Sequence, residues 1–129
     1  MKLRVIIESP YAGDVERNLR YARAALRDSL ERGEAPFASH LLFTQEGVLR
    51  DDVPAERAEG IAAGLEWGKV AHLTAVYTDL GISAGMEQGI ESARKNGRMV
   101  ELRQIPGWRT DAEHAAPTPL INLDQQETP

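Results

Sequence analysis

One carboxylate, Glu87, stands in a run of small residues, Asp79-Leu80-Gly81-Ile82-Ser83-Ala84-Gly85-Met86-Glu87-Gln88-Gly89. The run follows an apolar, strand-like stretch (Ala71 to Tyr77) and opens a helix-like one (Ala84 to Asn96). In an open α/β sheet, ligands bind at the carboxyl ends of strands, where such a run lies. A carboxylate in the first turn of a helix is kept ionised by the helix dipole, which suits a nucleophile better than an acid. The same position also suits a surface Glu that complements the dipole. Residue types alone leave both readings open.

Asp79 and Asp14 stand at two strand-to-loop junctions. Carboxylates so placed can divide acid, base and nucleophile roles, and they can equally act as turn and cap residues. The loop Ser9-Pro10-Tyr11-Ala12-Gly13 leads into a helix N-terminus, a ready-made anion site. It carries neither G-x-G-x-x-G nor a Walker lysine. Arg17, Arg20 and Arg23 follow on that helix, where an arginine can hold a phosphate by a forked contact or simply face solvent. His40 is placed to reach the crevice from the end of the second strand, or to make a structural hydrogen bond. With His72 and His114 it has no metal-like spacing, so no metal site is expected. Tyr11 and Trp67 can stack on a base or serve as core or interface residues.

The elements that must position these groups follow from periodicity. Leu3 to Ile7 is a short β-branched strand. Asp14 is a plausible N-cap for an amphipathic helix over Val15 to Glu31, with Val15, Leu19, Ala22, Leu26 and Leu30 inward and Gly33 as its stop. A short second strand near Ala35 to Ser39 leads to a loop or short helix. Gln45 to Asp52 reads as loop, and Pro54 begins a helix reaching about Val70 with Ile61, Leu65 and Val70 inward. Leu73 to Tyr77 is the third strand. Ser83 to Asn96 is a helix stopped at Asn96-Gly97, and Met99 to Ile105 is an edge strand. This alternation predicts an α/β fold: a flavodoxin- or Rossmann-like three-layer sandwich with a mostly parallel sheet of four to five strands. A 2-1-3-4 order makes strands one and three neighbours, with the crevice between their carboxyl ends.

At 129 residues the chain is one domain, assigned here to residues 1–106, with a flexible or arm-like tail over 107–129 that holds Pro117, Pro119 and Pro129. A net charge of −5 argues against nucleic-acid polymers and membrane surfaces as partners, though not against a small anion. The absence of cysteine excludes disulfides and thiolate chemistry and fits a reducing cytoplasm. No apolar run approaches the roughly 18 residues of a membrane span, and no signal peptide is expected.

Gly85-Met86-Glu87-Gln88-Gly89, followed by Gly97-Arg98-Met99-Val100, resembles the G-M/Y-E-x-G signature of nucleoside 2-deoxyribosyltransferases and the related 2′-deoxynucleoside 5′-monophosphate N-glycosidases. The strand-to-Ser-Pro-Tyr-Ala-Gly start is similar to small phage and bacterial domains of the same fold. The resemblance spans about residues 3 to 104. It implies N-glycosidic cleavage or base exchange on a deoxynucleoside or its 5′-monophosphate, with no cofactor. The Glu attacks the anomeric carbon, the base leaves, and a second base or water resolves a glycosyl ester. Glu87 would be the nucleophile and Asp79 its partner. Ser9, Pro10, Tyr11, Ala12, Gly13, His40, Gly81, Ser83 and Gly85 would line the substrate. The sequence departs from the pattern twice. Gly64 or Glu66 stands where the family has an Asp before the third strand, and Gly81 stands where its transferases have an Asp six residues before the nucleophile. A non-catalytic nucleotide or nucleotide-derived signal binder of the same fold is the competing expectation. The resembling enzymes complete their sites across subunits, so a homo-oligomer is expected, with Trp67, Trp108 and the tail as contact surface.

Overall fold

The structure, a computed structural model, describes residues 1–108. Four parallel strands, β1 (Arg4–Glu8), β2 (Ala35–Phe37), β3 (Leu73–Tyr77) and β4 (Met99–Arg103), form one sheet in the order β2-β1-β3-β4. The helices are α1 (Val15–Glu31), α2 (Ser39–Leu42), α3 (Pro54–Gly68) and α4 (Ala84–Lys95). The α/β class and the strand order agree with the expectation from the sequence. The expected proline-rich tail lies, from residue 109 on, outside the described residues.

Strand side chains alternate between the two faces of a sheet. Val5 and Ile7 of β1 join Leu73, Ala75 and Tyr77 of β3 in a core with Tyr21 and Ala25 of α1. On the other face Val76 packs with Met86 and Ile90 of α4. The β1–β3 register sets Ile6 beside Thr74 and Glu8 beside Val76. Glu8 therefore shares the α4 face, opposite α1. The sequence pattern ended the first strand at Ile7. The ladder continues one residue further, and that residue is the acid.

Local signals explain most boundaries. Asp14 caps α1 by accepting from Arg17 N at 3.2 Å. Gly33 and Gly97 follow α1 and α4 at φ +84° and +66°, a region that suits glycine. Ser83 caps α4 by accepting from Met86 N at 3.3 Å.

Two helix faces differ from the periodic reading. The buried residues of α1 are Asn18, Tyr21, Ala22, Ala25 and Ser29, whereas Val15 and Leu30 are exposed. The buried polar groups all have partners: Asn18 donates to the Tyr11 and Ala12 carbonyls, Tyr21 pairs with Asp79, and Ser29 donates to Glu34. In α3, Leu65 is exposed, as is Val70 just beyond its end, and the inward stripe is Gly60, Gly64 and Gly68. A Cβ on Gly64 would meet Ser39 Oγ at 2.6 Å, so the helix lies too close to α2 for any side chain there.

Beyond the ends of the strands, a buried ion pair ties β4 to the segment before β2. Arg103 donates to both Glu34 carboxylate oxygens at 2.7 and 2.8 Å, and also to Tyr77 Oη at 3.2 Å. The Arg103 hydrogen bonds hold the Glu34 carboxyl below its usual range. Removing one member of a buried pair strands the other, so Glu34→Ala is expected to cost about 3 kcal/mol in urea unfolding. Glu34→Leu combined with Arg103→Met should cost less than Glu34→Ala alone. A single-variant loss below about 1 kcal/mol, the range of exposed pairs, would show that the bridge is solvated.

Candidate functional site

A cavity of about 230 Å³ opens on the α4 face of the sheet, between α3 and the first half of α4. Ile6 and Glu8 of β1 form part of its wall, with Ser9, Tyr11 and Ala12 from the loop that follows. Ser39, His40, Phe43 and Thr44 contribute from α2 and the turn after it, and Gly60, Ile61, Gly64 and Leu65 from α3. The N-terminal turns of α4 supply Ser83, Ala84, Gly85, Met86, Gln88 and Gly89. Leu49, Gly68 and four further ionisable residues, Asp51, Glu56, Arg57 and Arg98, complete the lining.

Of the residues expected to bind substrate, Ser9, Tyr11, Ala12, His40, Ser83 and Gly85 line this cavity; Pro10, Gly13 and Gly81 do not. Neither residue expected to be catalytic lines it. Glu87 is exposed on the first turn of α4. The buried face of α4 runs through Met86, Gly89, Ile90 and Ala93, and the helical period turns residue 87 off that face. Asp79 is held on the α1 side. Its carboxylate accepts from Tyr21 Oη at 2.7 Å and from Ile105 N at 2.8 Å, and its own N–H donates back to Tyr21 Oη at 2.8 Å. Burial, with the Asp79 carboxylate second, pushes the Tyr21 phenol well above its usual range. Asp79 thus latches the turn after β3 to α1. Trp108, expected as contact surface, packs edge-on against Tyr21 with ring centroids 4.7 Å apart. Trp67 remains 57% exposed. Arg20 and Arg23 are exposed, and they do not line the cavity.

The cavity acid on the sheet itself is Glu8. Burial raises its carboxyl to about 8, against a smaller lowering by the Arg98 guanidinium. At neutral pH it is therefore mostly protonated and able to donate a proton. Arg98 is fixed by donation to Thr74 Oγ1 at 2.8 Å and to the Gly68 carbonyl at 2.6 Å. Burial lowers its own affinity for its proton. Beside Glu8, Ser9 Oγ and His40 Nε2 lie 2.6 Å apart in a hydrogen bond. Burial depresses His40 to about 4, so its ring is neutral at pH 7. The other acids on the wall are engaged: Asp51 pairs with Arg57 at 2.9 Å, and Glu56 accepts from Arg50 N at 2.8 Å.

Glu8, Arg57 and Arg98 are the residues that sequence reasoning missed. A charged residue closing an apolar strand was one available signal. A glycine in the interior of α4, where glycine costs about 1 kcal/mol relative to alanine, was another. Among the described residues no group of three His, Cys, Asp or Glu side chains can hold a metal ion, and no helix is long and apolar enough to cross a membrane.

With this architecture in view, the chain can be placed. Residues 3–103 match the model of a family described as Domain of unknown function (DUF7768), and the chain belongs to that family. Among solved structures it is similar to a 2-deoxyribosyltransferase from the psychrotolerant bacterium Bacillus psychrosaccharolyticus. The TM-score is 0.56 at 19% identity, covering 85% of this chain and 78% of that chain. At that identity the likeness establishes a shared fold. No curated protein matches the chain.

The two perturbed groups of the cavity act oppositely on stability. Folded Glu8 keeps its proton between about 4.5 and about 8, where the unfolded chain has lost it, so stability falls as pH rises through that window. Folded His40 resists protonation between about 6.5 and about 4, so it adds stability as pH rises through that lower window. Glu8→Gln removes the first contribution and keeps the second. Urea unfolding of both proteins at pH 5, 6.5, 8 and 9 should show the variant gaining on wild type up to about pH 8, by on the order of 4 kcal/mol. Parallel pH curves would mean that Glu8 ionises like an ordinary carboxylate.

Proposed function

We propose that the cavity takes a deoxynucleoside or its 5′-monophosphate and that the protein cleaves or exchanges its N-glycosidic bond, with Glu8 as the working acid. The observation that carries this reading is a carboxyl, pushed up by burial, at the wall of a cavity beside the carboxyl ends of β1 and β3, where open α/β sheets bind ligands. The shared fold with a 2-deoxyribosyltransferase and the Gly85-to-Gly89 resemblance support the substrate class.

The chemistry follows from the state of each group. A glycosidic C–N bond breaks readily only when the departing base is protonated. Glu8 transfers its proton to a ring nitrogen, the bonding electron pair leaves with the base, and Glu8 becomes a carboxylate. The positive charge that develops on the sugar then faces that carboxylate. Water captures the anomeric carbon and returns a proton to Glu8, or in exchange a ring nitrogen of a second base captures it and that base gives up its N–H proton to Glu8. An ester route through Glu87 needs that carboxylate at the sugar; Glu87 is exposed and does not line the cavity, which favours Glu8 as the working acid. Phe43, Leu49, Ile61 and Leu65 give the cavity apolar wall for a base, while Arg57 and Arg98 supply positive charge for a phosphate. The volume suits one nucleoside rather than a dinucleotide.

A second reading rests on a specific observation. Asp51 and Glu56, the other acids on the wall among the described residues, are already engaged with Arg57 and the Arg50 N–H. With no uncommitted carboxylate beside Glu8 among the described residues, the cavity also fits a nucleotide-binding protein without turnover.

Chromatography of released base from deoxynucleosides and their 5′-monophosphates separates the two. Cleavage predicts release by wild type, at least about 100-fold loss in Glu8→Gln, and a change within about threefold in Glu87→Gln. Larger loss in Glu87→Gln than in Glu8→Gln would restore Glu87 as the nucleophile. No release by wild type, together with a nucleotide-dependent rise in Tm, would establish the binding reading.

A further inference from the structure

We propose that Gly89 is a positioning residue, whose bare backbone forms the slot that holds the Glu8 carboxyl. This deepens the reading of Glu8 above and rests on it for function, but the slot itself is a matter of geometry. A Cβ built on Gly89 would overlap the carboxyl group of Glu8, with Oε2 its nearest neighbour. Backbone conformation offers no other reason for glycine here. Gly89 lies within α4 and is not among the glycines at positive φ. An interior helical glycine is disfavoured relative to alanine, so the position gives up stability for space. Gly85, one turn earlier, makes the contrast: a Cβ there would meet nothing closer than 3.9 Å.

The fold explains why the slot lies at residue 89. Met86, Gly89, Ile90 and Ala93 form the buried face of α4, and Met86 and Ile90 pack on Val76. Glu8 lies beside Val76 in the β1–β3 register. Its carboxyl thus enters α4's buried face at the one residue without a side chain. Strand and helix compete for a single volume at the cavity wall. It follows that the carboxyl can be supplied from either element, and that a side chain on residue 89 displaces the flexible end of Glu8 from the slot.

The test uses the full chain and follows carboxyl titration by carbon NMR, a readout independent of activity. Wild-type Glu8 is expected to titrate near 8. In Gly89→Ala, the displaced carboxyl should titrate below about 6 as it regains water. In Glu8→Ala combined with Gly89→Glu, the carboxyl introduced at residue 89 should itself titrate at least about 2 units above the ordinary range. That double variant should also recover base release lost in Glu8→Ala to within about tenfold of wild type. Glu8 still titrating near 8 in Gly89→Ala, or an ordinary value for the introduced carboxyl, overturns the proposal. If Gly89→Ala fails to fold, Glu8→Ala combined with Gly89→Ala decides. Folding of that double variant supports the competition for space, and its failure to fold overturns it. Absence of base release from wild type would remove the glycosidic reading and leave the titration to judge the slot.

Discussion

The cost of burying one acid at the end of a central strand organises this molecule. β1 has a strand on either side, and alternation sends residue 8 to the face covered by α4. Ionising a carboxyl there opposes its desolvation, and the group responds by keeping its proton. Its surroundings accommodate it by subtraction and by fixed donors. Gly89 removes a side chain from the helix above. Arg98 brings a guanidinium near, but Thr74 and the Gly68 carbonyl hold it, so the attraction lowers the carboxyl less than burial raises it. Stronger pairing would have produced an ordinary ion pair and no proton to give.

The other face shows the contrasting solution. Glu34 and Arg103 meet in a two-pronged contact, with Ser29 and Tyr77 donating to or accepting from the pair. There the carboxyl is pulled below its usual range. The same residue type thus takes opposite protonation behaviour on the two sides of one sheet, according to whether a donor reaches its oxygens. The first arrangement suits proton transfer, and the second ties β4 to the turn before β2. Asp79 is also tied up structurally: its Oδ2 accepts from both Tyr21 Oη and Ile105 N.

Legibility in the sequence followed the same division. Strand order, helix ends and the loop after β1 were readable because they depend on local rules: β-branched runs, Asp14 and Ser83 as caps, Gly33 and Gly97 as stops. Helix faces were less so. Counting apolar residues on α1 favoured Leu30, yet Asn18 and Ser29 are buried because distant segments supply their partners. On α3 the inward stripe is glycine, invisible to a hydrophobic count, since close approach to Ser39 and Arg98 replaces side-chain packing. The cavity acid was missed for a related reason. Glu87 stands in a conspicuous glycine-rich turn, whereas Glu8 becomes notable only when the strand register and the gap at Gly89 are seen together.

The state of Glu8 also constrains what the cavity favours. A carboxylate beside a sugar stabilises positive charge but cannot help the base depart. A neutral carboxylic acid does the reverse until the moment of transfer. In the proposed reaction, proton loss to the base would convert the group into a carboxylate as the sugar becomes cationic, so the favourable interaction would develop in the transition state rather than in the bound ground state. Such differential interaction lowers a barrier, whereas equal binding of both states does not. Arg98, held away from a direct ion pair, keeps the conversion within reach by favouring the carboxylate. Burial and a constrained cation together set the acid near the pH at which proton transfer in either direction is feasible.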